Sequence, residues 1–140
     1  MKQFSIGSLS TITGCNIETI RYYEKIHLLQ PAERTSGNQR RYYEEHYKRL
    51  LFILHARDLG FSIEAIRQLI SLSQHPEAPC YEADNIAKEQ LMAVRARIAR
   101  LKKLEKELQR MTQCHESHTI HNCQVIETLA ECGTCYADHH

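Results

Sequence analysis

Tryptophan is absent from the 140 residues, and glycine (5) and proline (3) are scarce. A turn-rich all-β sandwich needs many such breakers, so their scarcity favours helices. No apolar run approaches the roughly 20 residues that a bilayer span requires. No apolar stretch of the export-signal kind opens the chain. A cytoplasmic location is therefore expected. There is no nucleophile elbow, no paired-histidine zinc-protease signature and no phosphate loop, so an enzyme is not expected. The hydrophobic fraction of 42% is enough for a folded core, and the length fits one domain or one domain with an extension.

The net charge of +1 hides an asymmetry. Residues 1–57 hold nine Lys+Arg against five Asp+Glu, whereas residues 58–140 hold nine against twelve. A basic N-terminal part favours an anionic partner at that end.

Local signals order the chain. Ser5 to Ile12 is predicted as a short helix, with Ser5 as its cap, Ile6, Leu9 and Ile12 as its apolar positions and Gly14 as its breaker. Asn16 is placed to cap a second helix running to Lys25, with Glu18 in the first turn where the dipole favours negative charge. Two short helices across a tight turn read as a helix-turn-helix, or as a generic helical hairpin. Pro31 and Ser36-Gly37-Asn38 carry turn chemistry, and Arg40, Arg41, Tyr42 and Tyr43 can form a strand after it. This basic, aromatic hairpin reads as a wing suited to phosphate contacts. A third helix is expected over about Glu44 to Leu59, with Leu50, Leu51, Ile53 and Leu54 on its apolar side and Gly60 as its stop. Ser62 then caps a fourth helix to about Ser71, burying Ile63, Ile66, Leu69 and Ile70. Pro76 and Pro79 mark a linker, so the first domain is expected over residues 1–75.

From Tyr81 to Met111 there is no glycine or proline. Leu91, Val94, Ile98, Leu101, Leu104, Leu108 and Met111 recur at steps of three and four, which gives one apolar stripe on a helix roughly 45 Å long. Nothing in the chain is large enough to cover it. A two-helix coiled coil between protomers over residues 80–111 is the simplest solution, with packing onto the N-terminal domain as the alternative.

Five of the nine histidines and four of the six cysteines follow Met111. In a reducing compartment such clustering points to metal or redox chemistry rather than disulfides. Cys114 and Cys123 follow the long helix and Cys80 precedes it, a separation of roughly 50 Å within one chain. An antiparallel pair would bring Cys80 of one protomer to Cys114 and Cys123 of the other, making two three-thiolate sites per dimer. Three thiolates favour Cd(II), Pb(II) or Hg(II), or Zn(II) with a further ligand. His115, His118 and His121 could add nitrogen ligands or be solvated loop residues. Residues 112–140 thus read as a metal-binding loop and tail, in which Cys132-x-x-Cys135, His139 and His140 serve either auxiliary metal capture or redox chemistry. Cys15, in the helix-turn-helix turn, is expected to be a packing residue.

The run Thr19-Ile20-Arg21-Tyr22-Tyr23-Glu24, then Leu28-Leu29-x-Pro31, Arg34, Gly37 and Arg40-x-Tyr42, resembles the MerR family of transcriptional activators. The cysteine pattern is similar to the cadmium/lead-responsive CadR/PbrR branch. The resemblance covers residues 4 to about 125. It implies a mainly all-α chain with a winged helix-turn-helix followed by a long dimerisation helix. It also implies a homodimer on double-stranded promoter DNA and metal-dependent DNA distortion that lets RNA polymerase engage a resistance promoter. Glu18, Thr19, Arg21 and Tyr22 would then lie on the recognition helix, and Arg34, Arg40, Arg41 and Tyr42 in the wing. Members sensing monovalent copper, silver or gold carry Ser where Cys80 stands, so Cys80 implies a divalent ion. Zinc sensors usually show two adjacent cysteines where this chain has Cys114-His115, and a mercury sensor has the same interval between Cys114 and Cys123. Gln39 departs from the aromatic residue usual in the wing.

Two other functions fit parts of the pattern. A redox-sensing regulator would use Cys132 and Cys135 or an iron–sulfur cluster. A metal buffer would use the Cys/His tail and leave no footprint on DNA. Small-molecule sensing is not expected, because no ligand-binding domain follows the long helix.

Overall fold

A computed structural model describes residues 2–113, 116 and 119–131. The chain divides into two compact units, residues 1–90 and 91–140. In the first, α1 (Ile6–Thr13) starts at Ser5, whose side chain accepts from the Ser8 N–H, and stops at Gly14, which has φ 76°. Helix α2 (Ile17–Lys25) starts at Asn16, whose side chain accepts from the Thr19 N–H. These are the expected caps, and they place two helices across a three-residue turn.

The wing consists of β2 (Glu33–Arg34) and β3 (Arg40–Tyr43), which pair antiparallel. A short β1 (Gln3–Phe4), absent from the sequence reading, pairs with the other edge of β3, giving the order β1-β3-β2. Helix α3 (Glu44–Asp58) follows directly, and α4 (Ile63–Ser73) is capped by Ser62. Leu9, Ile20, Leu28, Leu29, Tyr42, Leu50, Ile53 and Ile66 are the largest fully buried side chains, so one core joins all four helices to the wing.

Four periodic positions depart from expectation. Ile12 is 49% exposed and Leu51 37% exposed, while Ile63 and Leu69 are only half-buried. Helix α3 spends its buried positions on His46, Leu50, Ile53 and Ala56, and that stripe leaves Leu51 on its edge.

Helix α5 (Tyr81–Met111) has the expected bounds over 31 residues. Of its stripe, Leu91, Ile98, Leu101 and Leu108 are exposed, Val94 and Leu104 are half-buried, and Met111 is buried. In the second unit a 3₁₀ turn (Ile120–Asn122) and α6 (Gln124–Glu131) follow. Among the described residues no helix is long and apolar enough to cross a membrane.

The α3–α4 turn depends on Gly60. Its φ is 86°, and a Cβ there would lie 2.5 Å from Gln90 Nε2. Gln90, on the first part of α5, donates from that same Nε2 to the Leu59 carbonyl at 2.9 Å. Gly14 has a similar φ but nothing within 4 Å of a Cβ. Gly14→Ala is therefore expected to cost about 1 kcal/mol through backbone strain alone. Gly60→Ala carries the same strain and also displaces the Gln90 amide, so in denaturant unfolding it should lose in addition only that hydrogen bond, about 1 kcal/mol, an excess that Gln90→Ala should remove. Equal losses at the two glycines would mean that the Gln90 contact contributes nothing.

Candidate nucleic-acid interface and metal ligands

Helix α2 buries Ile20 and Tyr23 and leaves Glu18, Arg21 and Tyr22 exposed, with Thr19 half-buried. Positions 18, 21 and 22 share one helical face, so the exposed side carries one anionic, one cationic and one aromatic group. The carbonyls beyond the helix end are held from outside. Arg67 donates to the Ile26 carbonyl at 2.8 Å and to the His27 carbonyl at 3.3 Å, and Arg49 donates to the Leu28 carbonyl at 3.4 Å. Guanidinium groups at a helix C-terminus suit its dipole, so α4 and α3 fix the direction of α2.

The wing concentrates positive charge. Its register sets Glu33 opposite Arg41 and Arg34 opposite Arg40. Like charges directly opposite each other are unfavourable in a free hairpin, and a phosphate between them relieves the repulsion. Arg34 also donates to the Asn38 carbonyl at 3.2 Å, which ties it across the turn. Gln39 accepts from Arg41 Nη2 at 2.9 Å, so the residue that departs from the family pattern steadies a wing arginine.

Tyr42 corrects one expectation. It is completely buried, and its hydroxyl donates to the Glu24 carboxylate on α2, so it offers no surface to a duplex. It joins the wing to α2 instead. Burial, reinforced by the Glu24 carboxylate, pushes its hydroxyl above the ordinary tyrosine range.

His46, which the sequence reading missed, lies beneath the wing at 3% exposure. Its Nδ1 accepts from the Tyr43 N–H at 2.9 Å, which leaves Nε2–H to donate to the Pro31 carbonyl at 3.1 Å. One imidazole thus joins the chain entering the wing to the chain leaving it. Its ring also stands edge-on to Tyr42 at 5.3 Å. The sequence signal was faint: a histidine in the first turn of a helix, able to bond back to the N-cap N–H.

The thiols divide by environment. Cys15 is buried against the Asn16 carbonyl, and burial pushes its thiol up, as a packing residue requires. Cys80 is exposed and Cys123 half-buried. Each immediately precedes a helix, with its own carbonyl accepting the first helical bond, from Asp84 at 3.0 Å and from Glu127 at 3.0 Å. Accessible cysteine sulfurs suit a thiophilic divalent cation. Cys80 belongs to the first unit and Cys123 to the second. His121 is exposed in the 3₁₀ turn. Cys114, His115, His118, Cys132, Cys135, His139 and His140 lie outside the described residues. Among the described residues no three His, Cys, Asp or Glu side chains converge.

The match to known families covers both parts of the chain. Residues 4–72 match the MerR HTH family regulatory protein model, and residues 47–111 match the model described as MerR, DNA binding. The transcriptional regulator ZntR of Escherichia coli K12 is 40% identical over 131 residues, spanning 91% of this chain and 93% of that protein. The lead(II) complex of PbrR691 from Ralstonia metallidurans superposes with a TM-score of 0.75 at 33% identity, covering 90% of this chain and 98% of that one. The mercury(II) complex of MerR from Bacillus megaterium gives 0.68 at 31%, covering 91% and all of that chain. The chain therefore belongs to the MerR family of transcriptional regulators. Its relatives are regulators rather than enzymes.

Two measurements probe this interface. Arg40→Ala should lower the slope of log K against log salt for promoter DNA by about 1, the value of one lost phosphate contact. An unchanged slope would remove Arg40 from the interface. Tyr42→Phe should show the sign of the raised hydroxyl. Because the folded state holds that proton more tightly than the unfolded state, the wild type loses stability as pH rises through about 10, where the unfolded group titrates. The variant should lose less over the same window. Parallel curves would contradict the assignment.

Proposed function

We infer that the protein is a metal-responsive transcriptional regulator that binds promoter DNA as a homodimer and activates a heavy-metal resistance gene. The observation that carries this reading is the pairing of two features in one chain. A cationic wing is locked to an exposed recognition helix, and accessible thiols open the helices on either side of a sequence stretch that carries an uncovered apolar stripe.

The stripe supports the homodimer. Leu91, Ile98, Leu101 and Leu108 stand in solvent, and each such side chain gains roughly 1.5–3 kcal/mol when fully buried. Two α5 helices running antiparallel satisfy both stripes together. The same arrangement brings Cys80 of one protomer beside Cys114 and Cys123 of the other. Three thiolates then hold a divalent ion, which supplies a cross-link between protomers that cysteines alone do not make in a reducing compartment. On DNA, Glu18, Thr19, Arg21 and Tyr22 face base edges and the backbone, while Arg34, Arg40 and Arg41 bind phosphates. The cross-link biases the separation of the two recognition helices, and the duplex between them is distorted accordingly. RNA polymerase reads that distortion.

Cadmium or lead is the preferred ion, supported by three cysteines with His115 following Cys114 in place of a second adjacent thiol. Zinc is the second reading, favoured by the 40% identity to the regulator named ZntR. Anaerobic titration of the reduced protein with Cd(II), Pb(II) and Zn(II), followed by thiolate-to-metal absorption, tests the site. One ion per protomer is expected, lost in Cys80→Ser, with promoter binding retained. Metal binding that survives Cys80→Ser would move the site into the C-terminal tail and sink the coupling.

A further inference from the structure

Beside Cys80 lies a cavity of about 350 Å³ in the first unit. Its walls are mostly apolar: Phe52, Leu69, Leu72, Pro79 and Ala83. Only two lining residues are transition-metal ligands of the usual kind, Cys80 and His75. The remaining polar wall residue, Ser73, already donates its hydroxyl to the Ile70 carbonyl at 2.6 Å.

The backbone holds the two ligands in place. The His75 N–H donates to the Leu72 carbonyl at 3.0 Å, and the His75 carbonyl accepts from the Ala78 N–H at 2.9 Å. That second bond closes a four-residue turn with Pro76 at its second position, where the fixed proline φ is preferred. Pro79 fixes its own φ and restricts Ala78 before it, and the Cys80 carbonyl accepts from the Asp84 N–H. Little conformational freedom remains to be lost when a metal bridges the pair. Both side chains are exposed, so an ion reaches them directly from solvent.

We propose that His75 is a further metal ligand, giving an imidazole nitrogen to the ion that Cys80 holds. This rests on Cys80 being a ligand, as in the proposed function. The site is then three sulfurs and one nitrogen. Four-coordinate tetrahedral geometry suits Zn(II) and Cd(II). Pb(II), whose lone pair occupies a coordination position, is satisfied by three thiolates and gains little from the nitrogen. His75 therefore sets selectivity, raising affinity for cadmium and zinc relative to lead.

The test uses the full reduced chain loaded with the spin-active cadmium isotope. Scalar coupling between cadmium and the His75 ring protons is the direct readout and needs no variant. Chelator competition then compares wild type, His75→Ala, His75→Gln and Cys80→Ser. Both His75 variants are expected to lose at least about tenfold in Cd(II) and Zn(II) affinity, the loss that even an outer-shell partner produces. Pb(II) affinity should stay unchanged. Absence of the coupling, with Cd(II) affinity unaffected in both His75 variants, would overturn the proposal while leaving the three-thiolate site intact. Unchanged binding in Cys80→Ser would overturn the parent reading and His75 ligation with it.

Discussion

The position of the wing rests on one buried imidazole. A buried polar group costs free energy unless every donor and acceptor is met, and His46 meets both of its ring nitrogens with backbone partners on opposite sides of the hairpin. Those bonds hold both ends of the β2–β3 hairpin to one side chain, beside the pairing of β3 with β1. Tyr42 stacks edge-on against the same ring and sends its hydroxyl to Glu24 on α2. The wing and α2 are therefore joined by buried contacts, and the exposed arginines inherit their spacing from interactions beneath them. The opposed Arg34 and Arg40 make sense in that light. A charge repulsion that a free hairpin could relax by moving is held in place here, ready for an anion.

The same economy appears where α5 begins. Gln90 spans from the long helix to the Leu59 carbonyl, and Gly60 leaves room for it because it has no side chain. The start of α5 is thereby fastened to the α3–α4 turn. Arg67 on α4 and Arg49 on α3 in turn hold the carbonyls that follow α2. Hydrogen bonds within the first unit thus link α5, which Cys80 immediately precedes, through α3 and α4 to the chain that follows α2. In the proposed mechanism this is the route by which a bound cation bears on the duplex.

Much of this was legible in the sequence, because caps and breakers are local. Ser5, Asn16, Ser62, Gly14 and Gly60 act within a few residues of themselves, and the elements they bound appear where they point. Long uninterrupted periodicity likewise points to α5 from Tyr81 to Met111. What escaped is non-local. Strand β1 has two residues and exists only because β3 offers an edge. Tyr42 reads as one more aromatic in a basic strand, and only its distance from Glu24 in the fold shows that it faces inward. His46 sits between glutamates and lysine-bearing turns that look solvated, yet packing buries it. Ile12 and Leu51 fit an apolar period but lie at its margin, where nothing covers them. The thiolate set was legible as a pattern of residue types. Of its members the structure describes Cys80 and Cys123.

Sharing of the metal site between protomers is the claim on which the mechanism stands, and mixed dimers test it most directly. One subunit would carry Cys80→Ser and the other Cys114→Ser with Cys123→Ser. Neither homodimer should hold cadmium tightly, whereas the mixed dimer should hold one ion, because one complete set of three thiolates is rebuilt across the interface. A mixed dimer as empty as its parents, or a homodimer of either variant that still binds cadmium tightly, would contradict a site shared between chains.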